Sequence, residues 1–335
     1  MMIRKFISIV LICIGLVSFT YPDIKTWYAD KQSEQEIESF NQTYHIEQKD
    51  KENEENSQEL SIKESQTSEQ QEKSEDMIND ALYQEVLNYN QQIYESGQND
   101  FSDAWNYKQV PISLSHLMTD SFGYIEIPAM GEKLSLYLGA TDTNMAKGAA
   151  VLGDTSIPIG GSNTNAVIAG HRGWKSQKFF KYIEKLKVGD AVYVTNPWGT
   201  MSYRVESIDI IRPTDGDAIK IQEGKDMITL LTCHPYRSHG KYRYLVYCIR
   251  DESLSKHGET QQVEQKYTPP ETIKASDGII YPSSEPDIDT ETSIRKIGLV
   301  VIIIAIVYTI INRILYYRKR KKESKDERLP NLTSR

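Results

Sequence analysis

The chain has 335 residues, of which only 39% are apolar and 26% are charged, a balance that favours one folded domain with accessory segments over two full cores. The formal net charge is −8, and residues 31–78 hold 14 Asp+Glu against 5 Lys+Arg, leaving the remainder about neutral, so the basic footprint of a nucleic-acid-binding domain is absent. Three cysteines, Cys13, Cys233 and Cys248, exclude a disulfide-stapled mini-protein and a Cys-rich zinc module.

In chain order, residues 1–28 contain Arg4 and Lys5 followed by the apolar run Phe6 to Thr20. That order is expected of a signal peptide or an N-terminal membrane anchor, and no clear small-x-small cleavage site follows it. Residues 29–78 are rich in Glu, Gln, Lys, Ser and Asn, with Phe40 and Tyr44 as aromatics. Such a stretch buries too little apolar surface to offset its ordering entropy and is expected to be an acidic stalk or a solvated helix. Residues 79–118 combine a short amphipathic helix (Ile78, Ala81, Leu82, Val86, Leu87 and Tyr89 at helical spacing, ending near Gly97) with a mostly polar loop.

Residues 119–252 read as short strands. GYIEIP (123–128), LSLYLG (134–139), AVIAG (166–170), AVYVTN (191–196), MSYRVESIDII (201–211), MITLLTC (227–233) and YRYLVYCIR (242–250) are rich in β-branched and aromatic residues, with Gly, Pro and Asp-Gly punctuation. One helical window interrupts them, KFFKYIEKLK (178–187). Many short strands with so little helix predict a mostly β fold, antiparallel in the main, and closure into a barrel removes the edges. Residues 253–293 are expected to be a spacer. Residues 294–317 are expected to be a transmembrane helix: the clean run Ile297 to Ile311 spans about 22 Å at 1.5 Å per residue, and extension to Tyr317, with Arg313 snorkelling, approaches the ~30 Å hydrocarbon core. Residues 318–335 begin Arg318-Lys319-Arg320-Lys321-Lys322, a basic tail expected to be cytoplasmic by the positive-inside rule.

The chemistry gathers at strand ends. Cys233 closes an apolar strand, His171 follows AVIAG between Gly170 and Arg172-Gly173, and Arg243 opens the last strand. A thiol that reacts near neutral pH needs a cation or an imidazole beside it, and acyl transfer needs a donor for the developing oxyanion. Alternation along the last strand puts Arg243, Leu245 and Tyr247 on one side and Cys248 on the other, so Cys248 is expected in the core. Cys233-His234 with His239 lacks a fourth ligand at a recognised spacing, so no metal and no cofactor is expected.

Ala169-Gly170-His171-Arg172-Gly173, Thr229 to Tyr236 (TLLTCHPY) and Tyr242-Arg243-Tyr244-Leu245-Val246 resemble the three active-site blocks of sortases, extracytoplasmic cysteine transpeptidases of Gram-positive bacteria. The resemblance covers about 120 to 250, includes GYIEIP as first strand, and implies a closed sortase-type barrel of about eight strands. It further implies Cys233 as nucleophile, His171 as general acid/base and Arg243 as stabiliser of oxyanion and substrate. The implied substrate is a Leu-Pro-x-Thr-Gly-like sorting signal of a pilin or surface protein, joined to an amine: a pilin lysine or, alternatively, a cell-wall precursor; the alternative outside the family is a non-enzymatic surface binding module. The N-terminal extension, the C-terminal apolar helix and Ser102-Asp103-Ala104-Trp105 are most like class C, the pilus-assembly sortases. There Asp103 and Trp105 would be lid residues, although Ala104 stands where the class has Pro. The barrel would then face outward from the cell membrane, with the C-terminal tail in the cytoplasm.

Overall fold

The structure, a computed structural model, describes residues 2–44, 46, 69–99, 110, 112, 117, 119–174, 177–238, 240–254, 272–282 and 286–326. Eight strands close a barrel: β1 (Gly123–Ile127), β2 (Glu132–Leu138), β3 (Ala149–Val151), β4 (Thr164–Ala169), β7 (Ala191–Asn196), β8 (Gly199–Ile211), β9 (Asp226–His234) and β10 (Tyr242–Arg250). Around the barrel the order is β1-β2-β3-β4-β9-β10-β8-β7. Two neighbouring pairs, β2–β3 and β4–β9, are parallel, and the others are antiparallel. A closed barrel has no unpaired edge, so even the fully buried β4 can be flanked on both sides. The fold is therefore mostly β, with the seven expected strands present and β3 completing the ring.

Four features depart from the expectations. Helix α1 (Met2–Tyr44) runs into the acidic segment, and Ile37, Phe40, Tyr44 and Ile46 are buried in the barrel's core cluster. Phe40 meets Tyr124 of β1 edge-on at 6.1 Å, while Tyr137 of β2 donates to Glu36 at 2.8 Å. Residues 37, 40 and 44 share one helical face, so three apolar side chains are enough to dock a segment that is polar elsewhere. The window 178–187 is not a helix: strand β6 (Gln177–Phe179) pairs with β5 (Arg172–Trp174), and one 3₁₀ turn (Ile183–Lys185) follows. The Phe180 amide donates to the His171 carbonyl at 3.0 Å, across to the β5 side, instead of closing a helical turn. The expected spacer contains a hairpin, β11 (Thr272–Lys274) with β12 (Ile280–Pro282), whose Ala275 is buried and bridges Ile210 of β8. Among the described residues one apolar helical stretch is long enough to cross a membrane, Lys296–Lys321, 26 residues or about 39 Å at helical rise, overlapping the expected segment 294–317 and lying within a helix numbered below.

Helix α2 (Glu69–Ser96) begins earlier than its apolar pattern and buries Leu82, Val86 and Tyr89. A short helix α3 (Asp142–Met145), capped by Thr141, follows β2. The chain forms two compact units, Met1–Ser284, which holds the barrel, and Glu285–Arg335, which holds helix α4 (Pro286–Asp326).

Asn90 fastens α2 to the barrel: its side-chain nitrogen donates to the Ile157 carbonyl at 3.0 Å, and its oxygen accepts from the Ile157 amide at 2.8 Å. Both backbone groups lack water as a substitute, because Asn90 and Ile157 are buried. Asn90→Ala is expected to lower the unfolding free energy by about 2–4 kcal/mol, from two buried groups left unmatched. Denaturant titration of the full chain checks this; an unchanged midpoint would mean that apolar contact alone docks α2.

Candidate active site

Three neighbouring strands bring the candidate residues into one row. Cys233 is the penultimate residue of β9, and Arg243 of β10 is its direct antiparallel partner. On the other flank, parallel pairing aligns Ala169 of β4 with Leu231 of β9. His171 lies two residues beyond Ala169, as Cys233 lies two beyond Leu231, so β9 carries the thiol between the imidazole on one side and the guanidinium on the other. The close approach persists past the last paired residues: the Gly170 amide donates to the Leu231 carbonyl at 3.0 Å, and the Thr232 hydroxyl donates to the Gly170 carbonyl at 2.6 Å. Neighbouring strands lie about 4.8 Å apart, so a lateral row is the shortest way to bring side chains from three strands together.

Two glycines make room for the row. A Cβ on Gly170 would lie 2.7 Å from the Phe180 ring, so only glycine lets the strand reach His171 over that side chain. Gly240, at φ +81°, approaches as closely: a Cβ there would be 2.7 Å from Arg243 Nη1 and 3.2 Å from Cys233 Sγ. The carbonyl of Gly240 accepts a 2.6 Å hydrogen bond from Arg243 Nη1, and the Tyr242 carbonyl accepts another at 3.2 Å. The turn between β9 and β10 thereby aims the guanidinium back at the thiol.

Burial controls the ionisation of the pair. It pushes the half-buried Cys233 thiol above the usual cysteine value, against the opposing pull of Arg243 and Arg172. Burial pushes His171 down, with Asp142 opposing. At neutral pH the prevailing pair is thus a thiol beside a neutral imidazole, and the thiolate–imidazolium form is a minor species. Cys248 is fully buried on the other face of β10, opposite Ile228, and both Cys233 and Cys248 are free thiols. His234, next in sequence to Cys233, also points away from the site: its Nδ1 lies 2.8 Å from Arg172 Nη1. It is fully buried and pushed down to about 3 by burial and then by Arg172, which fixes it as a neutral imidazole. That orientation does not suit a metal shared with Cys233. Asp103, Trp105 and His239 lie outside the described residues.

Sequence reasoning found the row but passed over what stands behind it. Arg172 and Glu184 form a buried ion pair, with side chains 3% and 7% exposed. The available signal was a charged residue beside a catalytic candidate, in a segment otherwise apolar or small.

Residues 125–251 match the protein-family model described as Sortase domain. Among curated relatives, Sortase A of Bacillus anthracis is 29% identical over 157 residues, covering 46% of this chain and 72% of its own length. Sortase D of Bacillus subtilis is 27% identical over 127 residues, covering 37% of this chain and 61% of its own length. Among solved structures, sortase C1 of Streptococcus agalactiae in complex with MTSET is 30% identical and similar over 53% of this chain and 92% of that chain, with a TM-score of 0.48. Sortase C from Clostridium perfringens is 32% identical over 53% of this chain and 91% of that chain, with a TM-score of 0.45.

Alkylation of the native chain is expected to label Cys233 and to spare Cys248 until the barrel unfolds. The labelling rate should keep rising with pH beyond the ordinary cysteine range, because only the thiolate reacts. Arg243→Met removes a cation that favours the thiolate and should move that rise to still higher pH. Mass-spectrometric mapping across pH checks both, and a profile indifferent to Arg243 would separate the guanidinium from the thiol.

Proposed function

Because the chain belongs to the sortase family of cysteine transpeptidases, we propose that Cys233, His171 and Arg243 cleave a Leu-Pro-x-Thr-Gly-like sorting signal and transfer its acyl part to an amine. The observation that supports this reading is the direct pairing of Cys233 on β9 with Arg243 on β10, with His171 two residues past the end of β4, the parallel neighbour of β9. The Cys233 thiolate adds to the Thr carbonyl carbon, and the resulting oxyanion is met by the Arg243 guanidinium. As the Thr–Gly bond breaks, protonated His171 gives its proton to the departing Gly amine. A thioester remains on Cys233. An incoming amine then adds to that thioester, loses a proton to His171, and expels the thiolate as the new amide forms. Water in place of the amine would give hydrolysis, so the acceptor must reach the thioester first.

The acceptor in this reading is a lysine of a pilin subunit. The extended N-terminal part docked through α1 and α2, together with the apolar Lys296–Lys321 stretch followed by basic residues, supports a pilus-assembly enzyme held at the membrane. The barrel would lie outside, with Arg318 to Lys322 on the cytoplasmic side. A cell-wall precursor amine is the competing acceptor. Incubating the enzyme with a sorting-signal peptide and each acceptor in turn, with product masses as readout, separates pilin linkage, wall attachment and hydrolysis.

Cys233→Ala should abolish transfer while the barrel stays folded, and retained transfer would end this reading. Arg243→Lys keeps the charge but loses the planar fork of donors, and should lower kcat by about 10²–10³. The competent form needs thiolate and imidazolium together. With His171 lowered and Cys233 raised, its fraction is small but constant between the two pKa values. It falls below the His171 pKa, where the thiolate of that form takes a proton, and above the Cys233 pKa, where the imidazolium loses one. A broad bell-shaped rate profile is expected, with an acid limb below the usual histidine value and an alkaline limb above the usual cysteine value. A rate that follows thiolate content alone would remove His171 from the mechanism.

A further inference from the structure

Each catalytic side chain has a sequence neighbour on the opposite face of the sheet, and those neighbours meet one another. Arg172 follows His171, His234 follows Cys233, and Tyr242 precedes Arg243. Arg172 Nη1 contacts His234 Nδ1 at 2.8 Å and donates to the Cys233 carbonyl at 3.4 Å, while Nη2 donates to Glu184. Its guanidinium also lies 5.8 Å from the Tyr244 ring. His234 is in ring contact with Tyr244 at 5.7 Å and, edge-on, with Tyr281 of β12 at 5.0 Å. Tyr281 in turn meets Tyr242 at 5.2 Å, and the Tyr242 hydroxyl donates to Asp277 at 2.6 Å.

We propose that Arg172, clamped by Glu184, is a positioning residue that fixes the Cys233–His234 backbone relative to His171. The inference rests on the transpeptidase reading above. Arg172 is one covalent step from His171 and hydrogen-bonds the carbonyl of Cys233, so one rigid guanidinium ties two reacting groups that come from different strands. The Arg172 donor obliges His234 to accept at Nδ1 and keep its proton on Nε2. A planar fork suits this role better than an ammonium, because two partners are held at once and in one plane. Glu184 arrives from the 3₁₀ turn after β6 and orients the fork from the far side. Glu184 is an acid that faces both Arg172 and His234, and Arg243 is the other cation acting on Cys233.

The deciding variant is the double replacement Arg172→Met with Glu184→Met in the full chain in detergent. Swapping a buried ion pair for apolar residues of similar size is often neutral or stabilising. A merely structural pair would therefore be replaced without loss. Positioning predicts a melting temperature within a few degrees of wild type, kcat down at least tenfold, and KM within about twofold. It also predicts that the pH midpoint of Cys233 alkylation moves upward, since Arg172 favours the thiolate. Kinetics and alkylation within twofold of wild type would overturn the proposal. Should the double variant fail to fold, Glu184→Gln decides: it keeps the shape, and a kcat equal to wild type would overturn the proposal, whereas a several-fold loss at unchanged KM supports it. The alkylation arm needs no peptide substrate, so an upward shift there together with an inert wild-type chain would fault the transpeptidase reading and leave the positioning role standing.

Discussion

The parallel pairing of β4 with β9 is the constraint on which the site depends. Antiparallel neighbours such as β9 and β10 bring residues together across a short turn, and Cys233 with Arg243 needs little more than that. His171 has no such local route to the thiol. It reaches Cys233 because two strands distant in sequence run side by side in the same direction and end at the same level. Parallel pairs require long crossovers, and the chain between β4 and β9 supplies the β5–β6 hairpin and then β7 and β8, which build the other wall of the barrel. Closing the barrel and assembling the row are thus one event, and a chain that has not closed has no such row.

The interior behind the row is unusual in being charged. A buried ion pair repays its desolvation only with good geometry and further hydrogen bonds, and on stability alone an apolar pair would serve as well. Arg172 and Glu184 pair between strand β5 and the 3₁₀ turn, and Arg172 Nη1 reaches into β9, to the His234 ring and the Cys233 carbonyl. Apolar packing slides at small cost, whereas a forked donor has one satisfactory arrangement. The location of the charges therefore matches a demand for precise placement better than a demand for stability.

Much of the barrel was legible because a closed sheet buries most strand residues, leaving β-branched and aromatic runs that end in Gly, Pro and Asn-Pro-Trp-Gly turns. β3 escaped notice because Ala149-Ala150-Val151 is too short and too small to show a pattern. The docked face of α1 was hidden for the opposite reason: Ile37, Phe40 and Tyr44 do repeat at helical spacing, but acidic composition dominates any window that averages over them. β11 and β12 are held by partners far off in sequence, Ile210 and Asp215 among them, so nothing local marks them as ordered. Cys233, His171 and Arg243 could be picked out because reactive side chains at strand ends stand apart from an apolar background. Glu184 could not, since its meaning comes only from meeting Arg172 in space.

The seclusion of the nucleophile bears on how long it lasts. Sortases work outside the cytoplasm, where disulfides persist and no glutathione pool repairs a thiol. Peroxide oxidation, like alkylation, proceeds through the thiolate, and the first steps up the oxidation ladder are governed by how much of it is present. A Cys233 held as the neutral thiol is a poor target for oxidants between turnovers. Cys248, sealed on the opposite face of β10, cannot swing round to trap it as a disulfide. The same burial that raises the Cys233 thiol keeps its thiolate, the form open to oxidation, scarce.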